Sequence, residues 1–286
     1  MRLLLILFSF VLMQCSMDDF VSYTKLDDLR IVALVVDQPE LQVSSLPANV
    51  TLVPYVSDRD GGGTSFTVTV VTCSELASSQ TTNSNGTCDN VADRIEVVSQ
   101  TFDPSTDART GTDPFPYATP FFTGALNDIT ITVPSGLTDG LEDSLVNNGI
   151  GYLIDVTVDN GSKVDRAIRN VLVSDRATVH TNPVIDSITF AGAAISGSMP
   201  RAEGDLLVTA SSASTETYTY TNSIGQSEDR TETVFVSFLS DRATFNASKT
   251  LAGDTNLMVP PETEDYLIMA VVRDGRGGTT VQVIAE

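Results

Sequence analysis

Two stretches of this chain spell the same pattern, and that repeat most constrains the fold. Tyr152-Leu153-Ile154-Asp155-Val156-Thr157-Val158-Asp159-Asn160-Gly161 and Tyr266-Leu267-Ile268-Met269-Ala270-Val271-Val272-Arg273-Asp274-Gly275 both open Tyr-Leu-Ile and close on Asn-Gly or Asp-Gly. An apolar run entering Asn-Gly or Asp-Gly is a strong hairpin signal, because these residues accept the positive φ of a tight turn. A second apolar run follows each: Ala167 to Val173, and Thr279 to Ala285. One hairpin closing each half of the sequence predicts two units of one kind rather than a single large fold.

The remaining pattern is also that of strands. Arg30 to Asp37 is a β-branched run closed by Pro39, and Val50 to Val56 is another, whose Pro54 predicts an edge or a bulge. Phe66, Val68 and Val70 alternate with threonines, as Ile129, Ile131 and Val133 do with Asp128, Thr130 and Thr132. That period of two marks half-buried strands. Val91 to Val98, Val184 to Phe190, Leu206 to Ala210, Thr217 to Thr221, Thr233 to Leu239 and Leu257 to Val259 complete the candidates, and Leu137 to Leu145 reads as a helical turn. Thr101 to Pro120, rich in Pro, Asp and Thr, reads as a long loop. No segment sustains a 3.6-residue apolar period, so the predicted class is all-β.

Each repeat places a Tyr at the head of a long strand, which resembles the tyrosine corner of immunoglobulin-like domains. The resemblance implies two tandem immunoglobulin-like β-sandwich domains, residues 29–175 with long loop insertions and residues 183–286. They would meet in the polar segment Ser174 to Pro183. The chain has no Trp, so the Cys–Trp–Cys core of antibody domains is absent.

The amino terminus carries an address. Arg2 precedes an apolar run from Leu3 to Leu12, and Met13-Gln14-Cys15-Ser16 follows. A basic start, a short apolar stretch and a cleavage site describe a secretory signal, too short to span a bilayer. Ending at a Cys, it resembles the lipobox of bacterial lipoproteins. The resemblance implies a signal peptide over residues 1–14, acylation of Cys15 and a tether over 15–28. Ser16, where an Asp would resemble a retention signal, points to the outer membrane or cell surface. The alternatives are an ordinary signal peptide, or an apolar start with a chance Cys.

Composition narrows the partners. A formal charge of −21 repels nucleic acid and anionic headgroups, and it suits an exported, solvated protein or one that meets Ca²⁺. With Cys15 given to lipid, Cys73 and Cys88 remain, separated by a polar stretch. In an oxidising compartment they are expected to form a disulfide, worth about 3 kcal/mol in the chain-entropy model. A two-Cys metal site lacks partners, since His180 is the sole histidine.

Tyr23-Thr24-Lys25-Leu26-Asp27-Asp28-Leu29-Arg30-Ile31-Val32-Ala33-Leu34, Gln38-Pro39-Glu40 and Val56-Ser57-Asp58-Arg59-Asp60-Gly61 together resemble a group of bacterial surface lipoproteins. Those open with a lipobox, a "KLDxLRVLA…PPE" strand and a "V-x-D-P-D-G" turn in an immunoglobulin-like domain. Val272 to Gly278 looks like the terminal hairpin of such modules. The resemblance carries no catalytic residue.

Little else suggests chemistry. Asp58 and Asp60 share one turn and Asp37 ends a neighbouring strand, which makes the three a candidate Ca²⁺ set, although the rest of an EF-hand loop is missing. There is no nucleophile elbow, and His180 falls in the predicted linker. Gly61-Gly62-Gly63 precedes a strand rather than a helix, so it offers no anion site. The expected function is therefore non-enzymatic: an envelope lipoprotein presenting immunoglobulin-like modules for protein binding, as an adhesin or an accessory subunit. The candidate contact residues are Phe102, Phe115, Tyr117, Phe121 and Phe122, aromatic anchors in a polar loop. The alternatives are a carbohydrate- or Ca-dependent binding module, or an accessory chain of an exported enzyme.

Overall fold

A computed structural model describes residues 26, 28–59, 61, 64–76, 86–89, 91–103, 122–195, 199–222, 224–262 and 266–285; for 122–124 and 285 only the backbone is described. Residues 1–25, with Cys15, lie outside this set, as do Asp60, Phe115, Tyr117 and Phe121.

The first half forms β1 (Arg30–Val36), β2 (Glu40–Gln42), β3 (Ala48–Asp58), β4 (Phe66–Ser74), β5 (Ile95–Phe102), β6 (Phe122–Ala125), β7 (Ile129–Val133), β8 (Ile150–Asp159) and β9 (Val164–Ser174), with a short helix Asp143–Asn148 before β8. The second half forms β10 (Ile185–Phe190), β11 (Ala193–Ala194), β12 (Gly204–Ala210), β13 (Thr217–Thr221), β14 (Ser227–Thr231), β15 (Phe235–Ser240), β16 (Thr244–Phe245), β17 (Lys249–Leu251), β18 (Thr255–Val259), β19 (Leu267–Arg273) and β20 (Thr279–Ala285). The protein is all-β. The strands order as β1-β3-β6, with β7 also on β3, against β2-β9-β8-β4-β5 in the first half. In the second half they order as β11-β10-β12-β18-β16 against β17-β15-β19-β20, with β13-β14 as a separate ribbon.

Alternation explains the two main cores. In the first, Val50, Leu52, Ile131 and Val133 of one sheet meet Phe66, Val68, Val70, Ile154, Val156 and Val158 of the other. In the second, Ile188, Leu206, Val208 and Met258 meet Val236, Phe238, Ile268, Ala270 and Val272. β19 has no alternation, because both its faces are buried. Its other face, Leu267, Met269 and Val271, packs on Leu26, Val32 and Ala33 of the first half. A bulge between Ile31 and Ala33 turns Val32 and Ala33 to this third apolar layer, while Leu34 and Val36 face the first core.

Several expectations change in detail. β3 is not an edge strand: β1 flanks one side, and β7 then β6 flank the other. Pro54 sits where the partner changes, past the β7 pairing that ends at Leu52 and before the β6 pairing that starts at Tyr55, and its carbonyl accepts from Leu126 N at 2.8 Å. Its missing N–H falls in that gap. The fifth strand starts at Ile95 rather than Val91, because Val91 packs beside the cystine while Asp93 accepts from Ser74 N at 2.8 Å. The helix lies at Asp143–Asn148, overlapping only the end of the predicted turn over Leu137 to Leu145. Both repeat tyrosines are buried. Tyr152 donates to Thr72 Oγ1 and Tyr266 to the Pro200 carbonyl, each at 2.9 Å and each on a distant element.

Cys73 and Cys88 are joined in a disulfide. It lies on the face of β4 opposite the first core, packed with Val71, Val91 and Leu153. Cys88 N donates to Asp155 Oδ2 at 3.0 Å, and the Arg166 guanidinium grips Asp155 and Asp89, fastening the loop's C-terminal root to β8.

Candidate functional site at the junction of the two cores

The segment expected as a linker is anchored along its length. Gln42 Nε2 donates to the Arg176 carbonyl at 2.9 Å, and Asn182 Nδ2 to the Val36 carbonyl at 2.6 Å. Asn182 Oδ1 accepts from Thr279 N at 2.9 Å, so one side chain ties β1 to β20. Between these anchors lies His180, only 2 % exposed.

His180 stands in a cluster of buried charge. Its Nε2 is 3.0 Å from Asp274 Oδ2, and its Nδ1 is 3.2 Å from Glu216 Oε2 and 3.3 Å from Glu232 Oε1. Its backbone N–H donates to Glu40 Oε2 at 2.7 Å. Glu40, fully buried in β2, also accepts from Ser174 Oγ, Arg176 and Arg276. Arg276 pairs with Glu232 at 3.4 Å and Glu216 at 3.7 Å. The Tyr218 ring of β13 lies under both guanidiniums, 4.5 Å from Arg276 and 5.4 Å from Arg176. From β9, Arg169 donates to Thr279 Oγ1 at 3.1 Å; burial pushes its guanidinium down to about 10, against the pull of Asp274.

The repeated hairpins explain how the cluster is held. Asn160 and Asp274 occupy the same place in the two repeats. Asn160 Oδ1 caps its turn by accepting from Ser162 N at 3.1 Å and Lys163 N at 2.9 Å, and its amide donates to Asp58 Oδ1 at 3.2 Å. Asp274 Oδ1 likewise accepts from Arg276 N at 2.9 Å and Gly278 N at 2.8 Å. Its other oxygen faces His180. One turn thus serves twice: an amide offers a donor to a buried carboxylate, and a carboxylate offers an acceptor to a histidine.

Burial alone would lower the His180 pKa, but the hydrogen bond and charge of Asp274, with Glu216 and Glu232, hold it above the ordinary value. Burial raises Glu232, against the pull of His180 and Arg276. Burial also opposes ionisation of Asp274, yet His180 and the two backbone donors hold that carboxyl below its usual value. Carboxylates outnumber guanidiniums here, so an imidazolium at His180 completes a charged lock between the two halves. Among the described residues, His180, Glu232 and Asp274 are also placed to hold a metal ion, each offering one ligand atom within 4.8 Å of the others.

No protein-family model matches this chain, and no curated protein does. Solved structures do match it. It is similar to dimeric latent PorU from Porphyromonas gingivalis, at 10% identity and a TM-score of 0.23 over 91% of this chain and 24% of that one. This chain therefore spans about a quarter of that protein. It is similar to the YadV chaperone at 10% identity and a TM-score of 0.24, over 88% of this chain and 99% of that one. Likeness at this level carries no inference about the chain.

The residues singled out in the sequence fare differently. Phe102 is not a contact anchor: it is 2 % exposed and packs on Phe66 with ring centroids 5.1 Å apart. Phe122 opens β6 and pairs with Asp58; its side chain is not described. Phe115, Tyr117 and Phe121 lie outside the described residues, as does Asp60 of the proposed Ca²⁺ set. Asp37 and Asp58 are not brought together. The ladder pairs Val36 with Leu52 at one end and Arg30 with Ser57 at the other, which separates them by about 20 Å at the usual rise per residue. Asp37 Oδ1 accepts from Thr51 N at 2.8 Å, and Asp58 accepts from Asn160. Sequence reading missed Glu40, Glu216, Glu232, Asp274 and Arg276. One signal was available: the second repeat carries Asp where the first carries Asn.

Proposed function

We propose that this chain is a non-enzymatic, lipid-anchored protein of a bacterial envelope whose two immunoglobulin-like sandwiches, near 29–175 and 183–286, act as one stiff support for protein-binding loops. The observation that carries the reading is the third apolar layer between the main cores, closed at one side by the His180 cluster. A presenting surface gains from stiffness, because order established beforehand is not lost again on binding. The segment with Phe115, Tyr117 and Phe121, read from the sequence as a loop, is the proposed contact region; Phe102 before it lies in the first core, and β6 follows it. Anchoring is proposed through acylated Cys15, which would hold the sandwiches at the outer membrane or cell surface without a spanning helix.

Two variants test this together. Deleting residues 106–116 should leave the fold intact and abolish capture of an envelope partner by the detergent-solubilised protein. Cys15→Ser should release folded protein from the membrane fraction. Unchanged capture after the deletion would move the contact surface elsewhere, and membrane retention of Cys15→Ser would remove the lipid anchor from the account.

A further inference from the structure

The geometry points to a binding site for a divalent transition metal, of which Zn²⁺ is the probe, formed by His180, Glu232 and Asp274 at the junction of the two cores. Three observations carry it. The three ligand atoms already lie within 4.8 Å of one another. Tetrahedral Zn²⁺ with bonds of about 2.0–2.1 Å sets its ligands roughly 3.4 Å apart, so closure needs side-chain shifts on the order of an ångström. Second, Glu232 Oε2 is buried with no hydrogen-bond partner on a side chain that is 0 % exposed. An unpaired buried carboxylate oxygen is costly and calls for a cation or a proton. Third, the second shell is in place. With the metal on Nε2 beside Asp274, Glu232 would swing from its present place 3.3 Å from Nδ1, and the Nδ1–H would then donate to Glu216, now 3.2 Å away. A carboxylate on the second ring nitrogen fixes the tautomer of a metal-binding histidine. Glu216 is 25 % exposed, which leaves an entry path at the rim.

The donor set favours a transition metal over Ca²⁺ or Mg²⁺. Those ions take oxygen ligands, and this site gives an imidazole nitrogen with two carboxylates. The charge balance agrees: Glu40, Glu216, Glu232 and Asp274 face Arg176 and Arg276, while Arg169 acts on Asp274 from β9. Arg276, at 3.4 Å from Glu232 Oε1, competes with the metal for that carboxylate. It keeps its bond to Glu40 when Glu232 turns to the ion.

Because the chain has a single histidine, its ring gives one site-specific signal. Full mature protein, untagged, ¹⁵N-labelled at histidine, solubilised in detergent and treated with chelator, is titrated with ZnCl₂ at neutral pH and separately with MgCl₂. Zn²⁺ should move the ring signal saturably at one ion per chain, and Mg²⁺ should not. The decisive variant is Asp274→Asn, which the first repeat shows to be compatible with the same turn at Asn160. It should fold and weaken Zn²⁺ binding at this signal tenfold or more, as should Glu232→Gln. No saturable movement of the ring signal, or weakening of less than tenfold in Asp274→Asn, overturns the site and leaves Zn²⁺ to scattered carboxylates of an acidic surface.

Discussion

At the scale of single residues, the lock rests on His180 being charged while buried. Its pKa is held above 6.5, with burial opposing and Asp274, Glu216 and Glu232 prevailing. The folded state therefore binds this proton more tightly than the unfolded chain does. The stability it contributes is full below about pH 6.5 and is lost as pH rises through the folded value. Glu232, raised from 4.5 by burial, acts in the same sense. In metal-free protein, urea unfolding should thus show stability falling as pH rises from 6.5. His180→Gln should flatten that slope; a wild-type curve that is level or rising over this range would contradict the protonated lock. Much of this site was hidden from sequence reading. Glu40, His180, Glu216, Glu232 and Asp274 come from five separate elements, and only the tertiary fold brings them together. A lone histidine in a polar stretch carries no periodic signal of burial.

Elements were far more legible, because alternation and turn chemistry are local. Thr217–Thr221 and Thr279–Ala285 fall where the pattern put them. β14 did not: Ser227–Thr231 is polar and fully exposed, and it is a strand only because β13 pairs with it. That ribbon clasps the first half through Asn148, whose side chain donates to the Thr221 carbonyl at 2.6 Å and accepts from Thr221 N at 2.9 Å. Asn148→Ala should cost about 1–2 kcal/mol and speed hydrogen exchange at the Thr221 amide; unaltered exchange there would mean the clasp bears nothing. The β19–β20 turn gives a second test. A Cβ on Gly278 would lie 1.9 Å from Asp274 Oδ2 and 2.9 Å from Pro183 Cδ, whereas one on Gly275 meets nothing within 4 Å. Gly278→Ala should cost about 1–3 kcal/mol and lower the His180 pKa by displacing its partner. Gly275→Ala should stay within about 0.5 kcal/mol of wild type. Equal effects from the two changes would show that the Asp274 position does not depend on that glycine.

For the whole molecule, the two copies of the repeat lie in different apolar cores, and the tight junction between those cores had no signal in the sequence. An apolar run such as Leu267–Arg273 reads as a buried strand whichever neighbour covers its second face. Here Leu26, Val32 and Ala33 cover it, while Arg59 meets Asp241 at 2.8 Å and Leu26 N donates to the Ser240 carbonyl at 3.1 Å. Met269→Ala should cost about 2–4 kcal/mol and loosen the junction before either core melts, read as a new early step in calorimetry; one undivided transition at lower temperature would say the layer belongs to a core instead. If the two sandwiches are one stiff unit, as proposed, the distance between them is fixed. Spin labels placed by Thr132→Cys in β7 and Thr244→Cys in β16, both exposed positions, can be read by pulsed electron resonance in a Cys15→Ser background. One narrow distance distribution is expected in the parent, broadening on adding Met269→Lys. A broad distribution in the parent itself would contradict the stiff unit and describe two modules swinging on a free linker.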